Sequence, residues 1–430
     1  MNLNKFFTLS LTLFFVASGC NSTVKDNSTS APAPTGVLNG PITDLPNGTT
    51  LPTLTGANVL TMTVNGSTCG NNSYPNKPCV TVTVCTHSFT DASHCDTVSD
   101  ILVDTGSYGL RIFGSNKNVL NHAVPTSIIT TGSNTLAECA SFGDGSQLWG
   151  PVQSADVILG GEAAVQIPIQ IIDSTYSNGM TANCSSASVA PTDAGFNGIL
   201  GVGLAMRDCG SACVGPTGAP PALYYSCNGS SCSASFAPLA NQIENPVSAQ
   251  AVDNNGVVLE LPTVGQAVSV NGYLVLGIGT QSNNVPASVT KFSANGFAEF
   301  KTSFEGQSYT SFIDSGSNAY YFPSPGTNLP DCGPTLSILA GFYCPSGLYT
   351  FTGINVGSIG SPSGNFQFQV DDFVNFYNSP NYVDSAASGT SGGSLTSMFD
   401  IGLPFFLGRN VYVGIDTKVS TLGTGPYWAY

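Results

Sequence analysis

Charge is scarce in this sequence. Only 8% of its 430 residues are charged, and 25 Asp and Glu outnumber 10 Lys and Arg, for a formal charge of −15. Cations so few and so scattered cannot form the basic footprint that a phosphate backbone requires, which excludes nucleic acid as a partner. With three His and no CxxC pair, the usual makings of a zinc site are missing, and neither a metal nor an organic cofactor is expected. Long amphipathic segments of 3.6-residue period are also absent, which removes helical bundles from consideration. The acidic balance reads as the surface of an exported protein kept in solution.

What is present begins with a leader. MNLNKFFTLSLTLFFVASGC carries one Lys and an apolar run from Phe6 to Val16 before a small-residue site at Cys20. That run is too short to span a membrane as a mature helix and reads as an export signal over residues 1–20. Ala17-Ser18-Gly19-Cys20 resembles a bacterial lipobox, which implies lipidation of Cys20. Asn21 stands where an Asp would suggest inner-membrane retention, so an outer-membrane anchor is expected. Residues 21–56, rich in Ser, Thr, Asn, Pro and Gly, read as a flexible tether with folding beginning near Ala57.

Without Cys20, twelve of the 13 cysteines remain. An even number in an exported chain predicts six disulfides. The spacings suggest local loops, Cys69 with Cys79, Cys85 with Cys95, Cys209 with Cys213, Cys227 with Cys232 and Cys332 with Cys344. That leaves Cys139 and Cys184, although spacing alone does not determine connectivity.

Short β-rich runs such as Val80 to Val84, Val165 to Ile172, Val257 to Leu261 and Tyr273 to Leu276 are bounded by Gly, Pro, Asn and Ser. They predict a mainly β chain of many hairpins. The length and the 41% hydrophobic content allow two lobes. An internal repeat supports that division. ILVDTGS at Asp104 is followed by GILGVG, and SFIDSGS at Asp314 is followed, at nearly the same separation, by FFLGRN. Each copy reads as a strand ending in an Asp turn and an apolar-apolar-Gly strand that returns beside it. The seam falls near Asn241 to Ala251, giving lobes at 57–245 and 246–430.

An acid after an apolar strand is costly to bury unless paired, and one alone is commonly an Asx-turn. Two in matching contexts, each followed by a Gly that lets backbone pass closely, suggest loops that meet. Two carboxylates sharing a site cannot both ionise easily. One keeps a proton, the other serves as a base, and a water between them is activated.

In the order ILVDTGS, GILGVG, YLVLGIG, FIDSGS, FFLGRNVYVGID, the chain from about residue 57 to 430 resembles the pepsin-like aspartic proteases. The resemblance implies two related β-barrel lobes around a central cleft. It assigns catalysis to Asp104 and Asp314, a lock between the loops to Thr105 and Ser315, support of the carboxylates to Ser107 and Ser317, and the turns themselves to Gly106 and Gly316. It also implies a protein or peptide substrate and a monomer. More closely, VTVCTHS, ECASFGDGSQLWGPVQSADV, IGTQSNN, GLPFFLGR and GPYWAY resemble an uncharacterised family of bacterial exported proteins with the same Asp pair.

Two departures from the pepsin pattern stand out. In the flap-like Phe142-Gly143-Asp144-Gly145, Phe142 replaces the family's Tyr, and Arg111 replaces the Trp that supports it. The expected function is peptide-bond hydrolysis by the Asp pair. The alternative is a noncatalytic surface lipoprotein that binds a peptide in the same cleft. Arg409 is expected to brace a lobe. GTSGG at Gly389 to Gly393 fits GxSxG only in a Gly/Ser-rich loop, so a serine hydrolase is rejected.

The leader generates a direct test. Cys20→Ala should release the protein from the membrane fraction and alter its processing. Equal membrane retention and equal processing of wild type and variant would remove the anchor.

Overall fold

The computed structural model describes residues 33–86, 91–121, 128–215, 217–323, 326–392 and 395–430. The leader and Cys20 lie outside them. The chain is mainly β, built from a closed barrel and an open half-barrel joined by a shared sheet. Among the described residues no helix is long and apolar enough to cross a membrane.

The first half contributes β1 (Val59–Val64), β2 (Pro78–Thr86), β3 (Cys95–Asp104), β4 (Tyr108–Phe113), β5 (Asn134–Ser141), β6 (Gln147–Ile158), β7 (Val165–Ile172) and β8 (Gly198–Val202). Six of these close a ring: β2 pairs with β3, β3 with β8, β8 with β4, β4 with β7, β7 with β6, and β6 returns to β2. Closure leaves no sheet edge in the ring. Alternation along β2 turns Val80, Val82 and Val84 into an aliphatic core with Ile101, Val103, Ile112 and Ile169.

The second half contributes β9 (Gly256–Glu260), β10 (Val270–Leu276), β11 (Phe300–Phe304), β12 (Gln307–Ile313), β13 (Tyr320–Tyr321), β14 (Tyr349–Val356), β15 (Ser363–Val370), β16 (Met398–Ile401), β17 (Asn410–Gly414) and β18 (Tyr427–Ala429). Strands β15, β14, β11, β12, β16 and β13 form the half-barrel in that order. Its interior is aromatic. Phe322 stacks on Phe399 at 5.0 Å, and Phe304 meets both edge-on, arrangements worth about 0.5–1.5 kcal/mol each beyond area burial.

The boundary expected near residue 245 does not interrupt the sheet. Strand β1 pairs antiparallel with β10, Val59 opposite Val275 and Val64 opposite Val270. Through β9, β17 and β18 the same sheet continues into the second half.

All six disulfides form, and in the suggested pairs: Cys69–Cys79, Cys85–Cys95, Cys139–Cys184, Cys209–Cys213, Cys227–Cys232 and Cys332–Cys344. Six bridges and no membrane-length helix among the described residues fit an exported protein. Two groups, Cys69, Cys79 and Asp100, and Cys332, Cys344 and Asp372, lie within ligand distance of each other, but their oxidised sulfurs offer no thiolate to a metal.

The described part of the expected tether is ordered. Val37–Leu38 pairs with Tyr349 and Thr350 on β14. Asn47 N donates to the Gly408 carbonyl at 3.0 Å and Thr263 N to that of Gly48 at 2.8 Å. Asp44 accepts from Gln367 N and pairs with Arg409 at 2.7 Å. This strap docks through backbone and short polar side chains, so a search for hydrophobic period passes over it. Arg409 braces it: the guanidinium also donates to the Phe405 and Gln367 carbonyls and lies 4.4 Å from the Phe405 ring centroid.

Because Arg409 is only 2% exposed, losing its carboxylate partner leaves a buried donor without its acceptor. Asp44→Ala should lower unfolding free energy by about 1–3 kcal/mol in urea titration. An unchanged midpoint would mean that the Asp44–Arg409 pair contributes nothing.

Candidate active site

Both acids of the repeat stand at the ends of parallel-paired strands. Asp104 ends β3 and lies opposite Gly201 of β8, and Asp314 follows β12, its N–H donating to the Ile401 carbonyl at 2.9 Å. The turns after them are joined by four hydrogen bonds. Thr105 Oγ1 donates to the Ile313 carbonyl (2.8 Å) and Ser315 Oγ to the Val103 carbonyl (2.7 Å). In return Ser315 N donates to Thr105 Oγ1 (2.9 Å) and Thr105 N to Ser315 Oγ (3.1 Å). Both hydroxyl residues are fully buried, so each bond is shielded from water.

The lock brings the carboxyls together. A Cβ on Gly106 would come within 2.7 Å of the Asp314 carboxyl carbon, and one on Gly316 within 2.9 Å of Asp104 Oδ1. These are the positions where the absence of a side chain is required. Each carboxyl accepts from its own turn, Asp104 from Gly106 N (2.8 Å) and Ser107 Oγ, Asp314 from Gly316 N (2.8 Å) and Ser317 Oγ (3.0 Å). Gly106 is exposed and Asp314 half-buried, so solvent reaches the pair. The Asp314 carboxyl is pushed well above the ordinary range, first by burial and then by the neighbouring carboxyls of Asp104 and Asp400. A pair so placed can hold one proton between two acids and orient a water.

The repeat differs from its reading in sequence. The strand returning beside Asp314 is β16, not FFLGRN. It runs parallel to β12, Ile313 opposite Ile401, and antiparallel to β13, Tyr321 opposite Asp400. On the other side Leu200 lies opposite Val103 and Ile199 opposite Arg111. Gly402 therefore matches Gly201, and Asp400 takes the place of Ile199. Each glycine is required by close backbone, since a Cβ would meet the Ala319 carbonyl oxygen at 2.0 Å or Tyr108 N at 2.5 Å. Phe405 to Leu407 instead pack in the core.

The flap residues form the tip of the hairpin between β5 and β6, closed by Phe142 N to the Ser146 carbonyl (2.9 Å) and Gly145 N to that of Phe142 (3.0 Å). Phe142 packs against a buried cluster that includes Leu102, Phe113, Leu148 and Ile199. Gly143 meets Leu395 of the second half so closely that a Cβ would sit 2.7 Å from its Cδ1. Tyr74 joins the Phe142 cluster, and its hydroxyl is pushed up by burial and by Asp100, Asp104, Asp144 and Asp314. A phenol therefore lies in the field of both dyad and flap, although it comes from another loop.

That loop is held by the Cys69–Cys79 bridge, by the buried Lys77–Asp100 pair at 2.8 Å, and by Asn76, whose amide donates to the Asn318 and Asp384 carbonyls. Sequence reading missed Tyr74 because neither spacing nor motif ties it to the Asp turns. Arg111 pairs with Glu138 on β5, a strand of the flap hairpin, away from its tip. It is buried against Glu138 (2.5 Å) and Asp208 (3.1 Å) and donates to the Tyr108 carbonyl.

Site and fold together define a mainly β protein whose two related turns place a pair of aspartates in one site. The chain belongs to the family described as a protein of unknown function, DUF3443, whose model matches residues 55–430. No curated protein matches it.

Several acids besides the dyad are buried with their pKa raised by desolvation: Glu260 and Asp384 to about 7, Asp400 to about 8. A raised pKa means that the folded state binds more protons than the unfolded. The associated stability is therefore complete below about pH 4 and is lost as pH rises through about 7–8. Thermal unfolding should give its highest midpoint in mild acid and a falling one toward pH 9, with Glu260→Gln and Asp384→Asn together flattening the fall. A midpoint that rises from pH 5 to 9 would contradict this.

Proposed function

We propose that this protein is an aspartic endopeptidase of pepsin-like, bilobal build, anchored through lipid on Cys20 at the outer membrane and acting as a monomer on exported polypeptides. The observation that carries this reading is the reciprocal lock of Thr105 and Ser315, which holds Asp104 and Asp314 against each other's glycines. A structural Asx-turn needs no second copy; two copies joined through their hydroxyls supply what a shared-proton dyad requires.

In this mechanism the ionised member of the dyad takes a proton from the water as its oxygen bonds to the peptide carbonyl carbon. The protonated member donates a hydrogen bond to the developing oxyanion. As the carbon–nitrogen bond breaks, the proton taken from water passes to the leaving nitrogen. The Phe142 hairpin excludes water from above by apolar contact.

A second reading, a peptide-binding lipoprotein without turnover, is favoured by the missing hydroxyl at Phe142 and by the contact of Gly143 with Leu395. Incubating the protein lacking residues 1–20 with unfolded protein substrates from acid to neutral pH separates the two. Asp104→Asn and Asp314→Asn should each lower turnover by about a hundredfold to ten-thousandfold or more, with the double variant scarcely worse because the acids act as a unit. Activity that survives both substitutions would exclude the dyad, and a folded wild type without cleavage at any pH would favour binding.

A further inference from the structure

One difference between the two halves of the site puts a buried acid beside the dyad. Where the first half has Ile199, the second has Asp400, 1% exposed. Alternation along β16 turns Phe399 and Ile401 into the aromatic core and Asp400 to the opposite face. There Ser317 Oγ stands between two carboxyls, 3.0 Å from Asp314 Oδ2 and 2.6 Å from Asp400 Oδ2. The hydroxyl of Ser107, its counterpart, donates to Asp104 and reaches no second carboxyl among the described residues. Asp400 Oδ1 is buried with no hydrogen-bond partner. An ionised carboxylate would leave a charged oxygen unsolvated, whereas a neutral acid leaves only a carbonyl.

The titratable groups around Asp400 are Asp104 and Asp314 on the two turns and Tyr321 on β13. Among the described residues no Lys, Arg or His is ion-paired with it. Ser317 has one proton to give. With Asp400 neutral, the chain runs one way: Asp400 Oδ2–H donates to Ser317 Oγ, and Ser317 donates to Asp314. When Asp400 ionises, the serine proton turns to it, and Asp314 loses a donor and gains a neighbouring negative charge.

We propose that Asp400 is a third, titrating acid of this site, a positioning residue that orients the dyad's charge through Ser317 and whose ionisation ends activity on the alkaline side. The proposal rests on the peptidase reading for its effect on turnover, but not for its protonation. Burial, reinforced by Asp104, holds the carboxyl up to about 8.

The test compares mature wild type with Asp400→Asn, whose amide can donate to Ser317 without titrating. In the pH profile of kcat/KM, the alkaline limb of the variant should move up by about one pH unit or more, because only the dyad's own proton remains to be lost. Asp400→Leu, which cannot donate, should lose activity across the whole range. Superimposed profiles for wild type and Asp400→Asn would overturn the proposal.

Potentiometric titration of the folded proteins decides the protonation without turnover. Wild type should release one more proton than Asp400→Asn, centred near pH 8. Release of that proton below pH 5 would overturn the proposal. A wild type that cleaves nothing yet releases the proton near pH 8 would remove the peptidase reading and leave Asp400 as a neutral buried acid. Near-UV circular dichroism of each variant establishes that it folds.

Discussion

The hydroxyls of Thr105 and Ser315 hold the site together by donating into one another's strands. Thr105 reaches the carbonyl of Ile313 and Ser315 that of Val103, the residues immediately before the two acids. A shift of either strand therefore moves its Asp against the other's glycine. Few interactions constrain two carboxyls so directly, and because both hydroxyls are fully buried, loss of either would leave unsatisfied backbone groups at the centre of the molecule.

Around that junction the protein departs from symmetry in a consistent way. The first half is closed and aliphatic, and carries two buried cations, Arg111 paired with Glu138 and Asp208, and Lys77 paired with Asp100. The second half is open and aromatic, and has Tyr321 where the first has Arg111, and Asp400 where the first has Ile199. In the second half Glu260, Asp384 and Asp400 are buried, and burial raises the pKa of each.

Much of this was legible in the sequence. The Asp-Thr-Gly-Ser and Asp-Ser-Gly-Ser turns, the hydroxyl residues beside them and the even cysteine count are local signals, and the cysteines pair as their number and spacing suggest. The return strand was misplaced because Phe406-Leu407-Gly408 and Asp400-Ile401-Gly402 compete for one role and only the first is apolar throughout. An acid in a run of apolar residues conceals a strand from any search for hydrophobic period. The strap from Val37 to Gly48 was missed for the opposite reason, since it binds through backbone amides, Asp44 and Asn47 and carries no pattern.

By itself the sequence determined that this is a mainly β, disulfide-bonded chain with two related Asp turns, because period-two alternation, turn chemistry and cysteine number are written residue by residue. Tertiary structure decided that β1 crosses to pair with β10, that Tyr74 enters the field of the dyad from a loop outside the motif, and that Asp400 stands behind Ser317. Those are matters of register between strands far apart in the chain. Register is set by which hydrogen-bond ladders and cores close together, and that information exists only once the whole chain has folded.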